Sequence, residues 1–285
     1  MRFTEIQGNA AVPDGAPRSL SPMAYAAFNE KGEGNSVKVR RVMQITRNFA
    51  PQGFDKLRIL DLGCGEGVYS IEAGLKGAEV LALDGRPERL SQGTAIAKEL
   101  GLSRVKFAVE DVRRISKETL GEFDVVYFLG LMYHLYVPDV FHVMERIHDL
   151  CRHCLIIDTH IALDPQYKVN YKNSDYLGWA YKEHDESTSM QDRAKVQRSS
   201  LDNVFSFWFS RESLVRLMFN VGFTSVMEYH SPIEGNKPAD RVTLVGIKGP
   251  MEQLSTYPWI NGMAEEEIAK RVGAPPPPVQ PQSRP

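Results

Sequence analysis

Residues 58–67, RILDLGCGEG, constrain the fold of this chain more than any other stretch. Their apolar run predicts a buried strand, and three glycines then follow at every second position. Because glycine carries no Cβ, such a turn can bend sharply and bring the backbone close to a ligand. A helical pattern begins at Val68. Strand, glycine turn and helix in this order predict the first unit of a nucleotide-binding α/β sheet.

Strands and helices alternate from this stretch to about residue 160. The predicted strands span 57–62, 79–83, 105–109, 124–129 and 155–158, with helical patterns between most of them. This alternation is typical of a parallel sheet with helices on both faces, a doubly wound α/β fold. Two further predicted strands, 224–229 and 241–247, are joined by a polar turn and form a hairpin-like pair.

The flanking and inserted segments divide the chain. Residues 1–35 are predicted to be a flexible segment with a short helix at 23–28, and residues 36–250 the main domain, whose first helix Ser36 caps. Residues 161–204 are polar and tyrosine-rich, and a structureless loop of that length is unusual, so we predict a lid or substrate insertion. Residues 251–285 are predicted to hold a C-terminal helix and a disordered, proline-rich tail.

The composition argues against several classes of protein. The net charge is −2 over 285 residues, unlike the basic surface of a nucleic-acid-binding domain. No apolar run approaches the roughly 20 residues that span a membrane, and the first residues lack the apolar core of a secretory signal. Three cysteines do not make a disulfide framework, so we expect a cytoplasmic protein. No sequence feature defines an oligomeric state.

The spacing of the glycines separates the nucleotide cofactors. A dinucleotide-binding turn has the pattern G-x-G-x-x-G, but Val68 stands at its third glycine position, and Gly67 comes one residue earlier. With Asp61 in the strand, this spacing resembles motif I of the class I S-adenosylmethionine-dependent methyltransferases. The resemblance implies their Rossmann-like sheet of seven strands, five parallel and closed by a C-terminal antiparallel hairpin. It also implies S-adenosylmethionine as cofactor and S-adenosylhomocysteine as product.

Acidic residues follow the next two strands, at the edge where doubly wound sheets bind their ligands. Asp84 ends the second strand, and a carboxylate there can accept both ribose hydroxyls in a methyltransferase or in a dehydrogenase. In the family that this stretch resembles, an acidic residue at the position of Asp111 accepts a hydrogen bond from the adenine amino group. The next backbone amide contacts the adenine ring. The alternative for each acid alone is a helix cap or a solvated loop charge. The predicted cofactor-binding residues are Asp61, Gly63, Gly65, Gly67, Asp84, Asp111, Val112, Leu129 and Gly130.

Candidate catalytic side chains follow the fourth and fifth strands, which are neighbours in this topology. Tyr133 and His134 come after the fourth strand, and Asp158 and His160 end the fifth, so we expect them to converge. Methyl transfer needs the nucleophile held in line and its proton removed. His134 is the first choice of base, because imidazole titrates near neutrality, and His160 is the second. Asp158 is predicted to orient a histidine or to cap its strand. The alternative for His134 is to cap the next helix or to pack against Tyr133.

The run 130–134, GLMYH, resembles the L-G-x-x-Y-H segment of bacterial methyltransferases related to the tRNA wobble-uridine carboxymethyltransferases. In those enzymes the tyrosine lies near the transferred group, which adds Tyr133 to the candidates. The resemblance to the methyltransferases covers residues 36–160, and residues 205–247 by pattern only.

Four functions stay open. The first is O-methylation of a small molecule, for which the tyrosines and Trp179 of the lid fit an aromatic acceptor. The second is methylation of tRNA or another macromolecule. The third is an NAD-dependent oxidoreductase, which Val68 and Asp111 disfavour. The fourth is a catalytically silent cofactor-binding protein.

A metal site has weaker support in the sequence. The possible ligands are His134, Asp158, His160, His184 and Asp185. They lack the compact spacing of a divalent-metal site, so no metal is predicted. Cys151 and Cys154 have the spacing of half a zinc or redox site without a second pair, and packing is their predicted role.

Overall fold

A computed structural model describes residues 33–263 and residue 267. The helix predicted at 23–28 and the proline-rich tail lie outside these residues. Within the described part of residues 251–285, a 3₁₀ turn forms at Pro258–Ile260. No helix of the described residues is long and apolar enough to cross a membrane.

Strands and helices alternate along the first half of the described chain, as predicted. The strands are β1 (Arg58–Leu62), β2 (Glu79–Asp84), β3 (Val105–Val109), β4 (Phe123–Leu129), β5 (Cys151–His160), β6 (Tyr167–Tyr171), β7 (Ser174–Lys182), β8 (Phe205–Phe209), β9 (Ser225–Glu228) and β10 (Arg241–Ile247). The helices are α1 (Glu33–Phe49), α2 (Val68–Leu75), α3 (Pro87–Glu99), α4 (Lys117–Leu120), α5 (Asp139–Leu150), α6 (Met190–Lys195) and α7 (Arg211–Asn220). Ser210 caps α7 as predicted, because its side chain accepts a hydrogen bond from the amide of Ser213.

The main sheet has the strand order β3-β2-β1-β4-β5-β10-β9. The first five strands run parallel, whereas β10 runs antiparallel to both of its neighbours. This confirms the predicted Rossmann-like, doubly wound sheet of seven strands, closed by an antiparallel hairpin. All seven residues of the central strand β4 are buried, as expected of a strand covered on both faces. The chain order reverses between β1 and β4, which opens a crevice at the carboxyl ends of these strands.

Two apolar layers cover the faces of this sheet. Successive side chains of a strand point to opposite faces, so neighbours in β1 enter different layers. Ile59 packs in one layer with Ile45 of α1, and Leu60 packs in the other with Phe141 of α5. These layers hold the carboxyl ends of β1 and β4 in a fixed relation.

Two elements, α1 and β5, differ from their predicted bounds by more than one residue at an end. Helix α1 begins at Glu33, before the start predicted at Ser36. Strand β5 is longer at both ends than the predicted 155–158, because its first residue, Cys151, pairs with Phe123 of β4 and its last, His160, pairs with Arg241 of β10. The longer pairing builds His160 into the sheet and fixes its backbone.

The segment predicted as a lid contains two strands, β6 and β7, which form a second, antiparallel sheet of order β6-β7-β8 with the strand that follows it. Side chains alternate along β7, so Tyr176 is buried against the main core and Trp179 is exposed. Phe207 and Phe209 of β8 complete the buried face. The sequence did not predict β6 and β7, because polar residues and tyrosines mask the alternation there.

Candidate active site

A cavity of about 660 Å³ opens at the carboxyl ends of β1, β2, β4 and β5, around the reversal of strand order. The cavity wall contains residues of both predicted groups, those for the cofactor and those for catalysis. These are Asp61, Gly63, Gly65, Asp84, Asp111, Val112, Leu129, Gly130, Tyr133, His134, Asp158 and His160. Their roles toward a ligand stay predictions, but the structure brings them together. Gly67 lies outside the wall.

The glycine turn adopts a backbone conformation that residues with a Cβ rarely tolerate. Gly63, Gly65 and Gly67 have φ angles of 68°, 56° and 82°, in the left-handed region. Gly67 precedes α2, and a Cβ added to it would lie 2.4 Å from the ring of Phe107. The close packing of Phe107 therefore explains why position 67 is a glycine. Gly63 and Gly65 lie beside the cavity.

The carboxylate of Asp84 is held in the cavity wall by backbone amides. Oδ2 accepts a hydrogen bond from the amide of Gly65 at 2.9 Å, and Oδ1 accepts one from the amide of Arg86 at 2.9 Å. Asp84 is buried, with 6% of the residue exposed. An ionised carboxylate has about four acceptor positions, so roughly two stay available to a ligand.

Asp111, after β3, is engaged by its neighbour Arg113. Oδ1 accepts from the backbone amide of Arg113 at 2.9 Å and from Nε at 3.0 Å, and Oδ2 accepts from Nη2 at 2.7 Å. Burial acts to raise the pKa of Asp111, but the hydrogen bonds and charge of Arg113 hold it below its ordinary value. An adenine amino group would therefore share this carboxylate with an arginine.

Asp61 is buried at the end of β1, where it accepts a hydrogen bond from Oγ of Ser70 at 2.6 Å. Burial raises the pKa of this carboxyl group to about 7, the Ser70 hydrogen bond opposes the rise, and the nearby charge of Asp84 adds to it. Near neutral pH, Asp61 consequently changes between its protonated and ionised forms.

His134 stands in the 3₁₀ turn Met132–His134 that follows β4. Its Nδ1 lies 2.8 Å from Oε1 of Glu183, whose side chain is 2% exposed. Burial acts to raise the pKa of Glu183, but the hydrogen bond from His134 holds it below its ordinary value, so Glu183 is ionised. Sequence reasoning missed Glu183, since it lies 49 positions from His134 in a segment without a recognised motif.

His160 lies on the other side of Tyr133. The ring centroid of Tyr133 is 4.3 Å from that of His134 and 4.8 Å from that of His160. Nδ1 of His160 lies 2.9 Å from Oδ2 of Asp240, and the imidazole stacks on Trp208. Burial lowers the pKa of His160, and the hydrogen bond to Asp240 opposes this shift. Both candidate bases therefore line one cavity, and each has a carboxylate partner.

The carboxylate of Asp158 binds Arg241 and Thr243, whereas the prediction was that it orients a histidine or caps its strand. Oδ1 accepts from Nε and Nη2 of Arg241 at 2.6 and 2.5 Å, and Oδ2 accepts from Oγ1 of Thr243 at 2.7 Å. The guanidinium of Arg241 lies 5.0 Å from the ring centroid of Tyr133. Asp158 thus supports the cavity wall through Arg241 and Tyr133.

Residues 59–153 match the family model described as a methyltransferase domain. The chain contains a class I methyltransferase domain. A ubiquinone biosynthesis O-methyltransferase of Acinetobacter baumannii (strain AYE) is 27% identical over 95 residues, 33% of this chain and 39% of that protein. The 23S rRNA (uracil(1939)-C(5))-methyltransferase RlmD of Shewanella sediminis (strain HAW-EB3) is 36% identical over 99 residues, 32% of this chain and 22% of that protein. The matched regions thus span well under half of these curated relatives.

A solved structure supports the fold of the methyltransferase domain. The N-terminal domain of EvdMO1, crystallised in the presence of S-adenosylhomocysteine and D-fucose, is similar with a TM-score of 0.59 and 21% identity. The similarity covers 76% of this chain and 84% of that one, so it extends beyond the region that the family model matches.

A strap, residues 194–203, runs along one side of the cavity, and its residues 197–203 line the wall. The guanidinium of Arg86 donates hydrogen bonds to four of its carbonyl groups at 2.9 to 3.1 Å. They belong to Ala194, Val196, Ser199 and Ser200. Asp202 of the strap accepts from Nη2 of Arg113 at 2.6 Å. The strap is therefore attached beside the residues that follow β2 and β3.

The described part of the chain contains no group of three His, Cys, Asp or Glu side chains that could hold a metal ion. Of the possible ligands, His184 is buried with Nε2 at 3.0 Å from the carbonyl oxygen of Ser200, and Asp185 pairs with Lys182 at 2.8 Å. Cys151 and Cys154 are buried free thiols in β5.

Proposed function

We propose that this chain transfers the methyl group of S-adenosylmethionine to an oxygen atom of a small molecule. The shared cavity carries the proposal, because it joins Asp84 and the glycine turn to two histidines. A cofactor site alone would serve many functions. A base in the same cavity is what proton removal from a hydroxyl group needs.

The cofactor side of the cavity suits S-adenosylmethionine chemically. Asp84 keeps roughly two acceptor positions, which matches the two hydroxyls of a ribose. Gly63 and Gly65 present no side chains, so the backbone can approach the methionine part of the cofactor. When bound, the cofactor supplies a methyl group that its positive sulfur activates. Crystals of the EvdMO1 domain with S-adenosylhomocysteine support this assignment.

On the acceptor side, His134 removes the hydroxyl proton. Its Nδ1–H donates to Glu183, so the lone pair that accepts the proton lies on Nε2. Tyr133 packs against His134 and His160 and offers the acceptor a flat surface. The strap limits the access of water to this proton transfer. His160 with Asp240 is the alternative base.

The nature of the wall favours a small, partly apolar acceptor. Tyr181 and Trp208 line the cavity beside Tyr133, and the chain as a whole carries no basic excess. One relative is a ubiquinone biosynthesis O-methyltransferase, and the EvdMO1 domain was crystallised with D-fucose. A macromolecular acceptor is the second candidate, because the rRNA methyltransferase RlmD also matches.

Calorimetry and thermal shift test the cofactor assignment. We expect S-adenosylhomocysteine to bind and to raise the melting temperature, and NAD to have no effect. Asp84→Ala should lose about tenfold or more in affinity, corresponding to at least about 1.4 kcal/mol. Asp185→Ala, which removes an exposed carboxylate, is the control and should bind as the wild type does. If S-adenosylhomocysteine neither binds to the wild type nor changes its melting temperature, the proposal is contradicted.

Transfer of a labelled methyl group to a panel of hydroxylated metabolites and RNAs tests the acceptor. His134→Ala should reduce turnover about 100-fold or more, the usual range for loss of a general base, and should keep its cofactor affinity. If turnover by His134→Ala is unchanged, His134 is not the base, and His160→Ala is the next variant to measure. Labelling of RNA alone, with salt-sensitive binding, would favour the second candidate.

A further inference from the structure

We propose that Glu183 is a positioning residue that holds His134 in the tautomer and orientation needed to accept a proton, and that the strap keeps Glu183 in place. This inference rests on the proposed function, because it assigns a role within the proton-transfer step. It adds to that step a residue outside the matched region 59–153.

Glu183 follows β7, and both of its carboxylate oxygens are engaged. Oε1 lies 2.8 Å from Nδ1 of His134, and Oε2 accepts from the amide of Ser200 at 3.1 Å. The backbone amide of Glu183 also donates to the carbonyl of Val204 at 2.8 Å. A buried carboxylate is costly unless it is paired, so these contacts leave the side chain one favourable position. The imidazole that it binds is oriented with it.

The charge of Glu183 also selects the proton arrangement of His134. An ionised carboxylate can only accept hydrogen bonds, so Nδ1 of His134 carries the hydrogen and Nε2 keeps its lone pair. In the reaction the acceptor's O–H bond breaks and its proton goes to Nε2, while the oxygen uses the released electron pair to form the bond to the methyl carbon. The bond between that carbon and the sulfur of S-adenosylmethionine breaks at the same time, and the sulfur keeps its electron pair as S-adenosylhomocysteine leaves. His134 becomes an imidazolium, which the adjacent negative charge stabilises, and Glu183 stays ionised.

The strap connects this pair to the cofactor side of the cavity. The carbonyl oxygen of Ser200 accepts from Nη2 of Arg86 at 3.1 Å, and the amide of the same residue binds Glu183. The backbone amide of Arg86 in turn donates to Asp84 at 2.9 Å. A continuous path of hydrogen bonds and peptide units therefore runs from Asp84 to His134. The position of the base is set by groups next to the predicted ribose site.

The second histidine provides a matched comparison inside the same cavity. Nδ1 of His160 also faces a carboxylate, that of Asp240, at 2.9 Å. The side chain of Asp240 is 29% exposed against 2% for that of Glu183, and Asp240 directly precedes β10. Glu183→Gln and Asp240→Asn thus remove the same charge from two similar pairs that differ in burial.

NMR of the imidazole nitrogens at a fixed pH tests the pairing, with the His134 signal assigned from the spectrum of His134→Gln. In Glu183→Gln, we expect the hydrogen of the neutral His134 ring to move from Nδ1 to Nε2, because the amide of Ser200 donates to the glutamine oxygen and leaves the NH₂ group to donate to Nδ1. In Asp240→Asn, the nitrogen signals of His160 should change and those of His134 should stay. Unchanged His134 signals in a folded Glu183→Gln protein would overturn the inference.

Kinetics test the role of the pair in turnover. Glu183→Gln should lower kcat at least about tenfold, with the acceptor KM and the affinity for S-adenosylhomocysteine changed by less than about threefold. If that variant does not fold, Glu183→Asp replaces it: the charge stays, the reach shortens, and kcat should again fall. Wild-type kcat in the folded variant refutes the inference. Failure of the wild type to bind S-adenosylhomocysteine refutes the proposed function instead, and the NMR comparison still reports on Glu183.

Discussion

Replacement of Asp61 by asparagine should make the stability of the fold less dependent on pH. Burial raises the pKa of this carboxyl group from its ordinary value of 3.8 to about 7. Between about pH 4 and pH 7 the folded state therefore keeps a proton that the unfolded chain has released. The free energy of unfolding falls as the pH rises through this window, because the unfolded state binds fewer protons. Above pH 7, the whole difference between the folded and the unfolded pKa of Asp61 acts on stability, and about three pKa units correspond to about 4 kcal/mol.

Asparagine removes this penalty and keeps the local contact. Its Oδ1 can still accept the hydrogen bond that Ser70 donates to Asp61. From about pH 5 to pH 8 we expect the wild type to lose about 2–3 kcal/mol of unfolding free energy relative to the variant. Urea unfolding of both proteins, followed by circular dichroism at several pH values in this range, measures the difference.

If the difference in unfolding free energy between the wild type and Asp61→Asn stays constant from pH 5 to pH 8, the reasoning is refuted. Such a result would mean that Asp61 titrates alike in the folded and unfolded chains. Ser70→Ala provides a test in the opposite direction. The Ser70 hydrogen bond lowers the pKa of Asp61, so its removal should extend the fall in stability to higher pH.

Two further predictions concern packing and charge, and urea unfolding measures both. Gly67→Ala should lower the free energy of unfolding by about 2–4 kcal/mol, since alanine resists the positive φ and its Cβ would overlap the Phe107 ring. Gly235→Ala, in open space, should change it by less than about 0.5 kcal/mol, and equal effects would contradict the packing argument. Arg241→Gln should destabilise by about 3–5 kcal/mol, because it leaves the Asp158 carboxylate buried without its cation. A loss below about 1 kcal/mol would mean that water replaces the arginine.

The main sheet could be predicted because local patterns specify it. Apolar runs of strand length alternate with helical patterns, and glycine and proline mark the turns between them. The ends of parallel strands meet at one edge, so Asp84 and His134 could be placed at a common site before any contact was known. The second sheet could not be predicted in this way. The buried face of β7 contains Tyr176 and Gly178, and such residues become recognisable as a strand only when β6 and β8 pair with it.

By itself, then, the sequence determined the doubly wound sheet, the glycine turn and the histidines at the strand ends, since each depends on neighbours within a few residues. Only the tertiary structure decided which carboxylate meets which base. Glu183 lies 49 positions from His134 and Asp240 lies 80 from His160, whereas the nearer Asp158 pairs with Arg241. Such pairs form where folding buries charges and leaves them one partner within reach, and no local pattern in the chain encodes that choice.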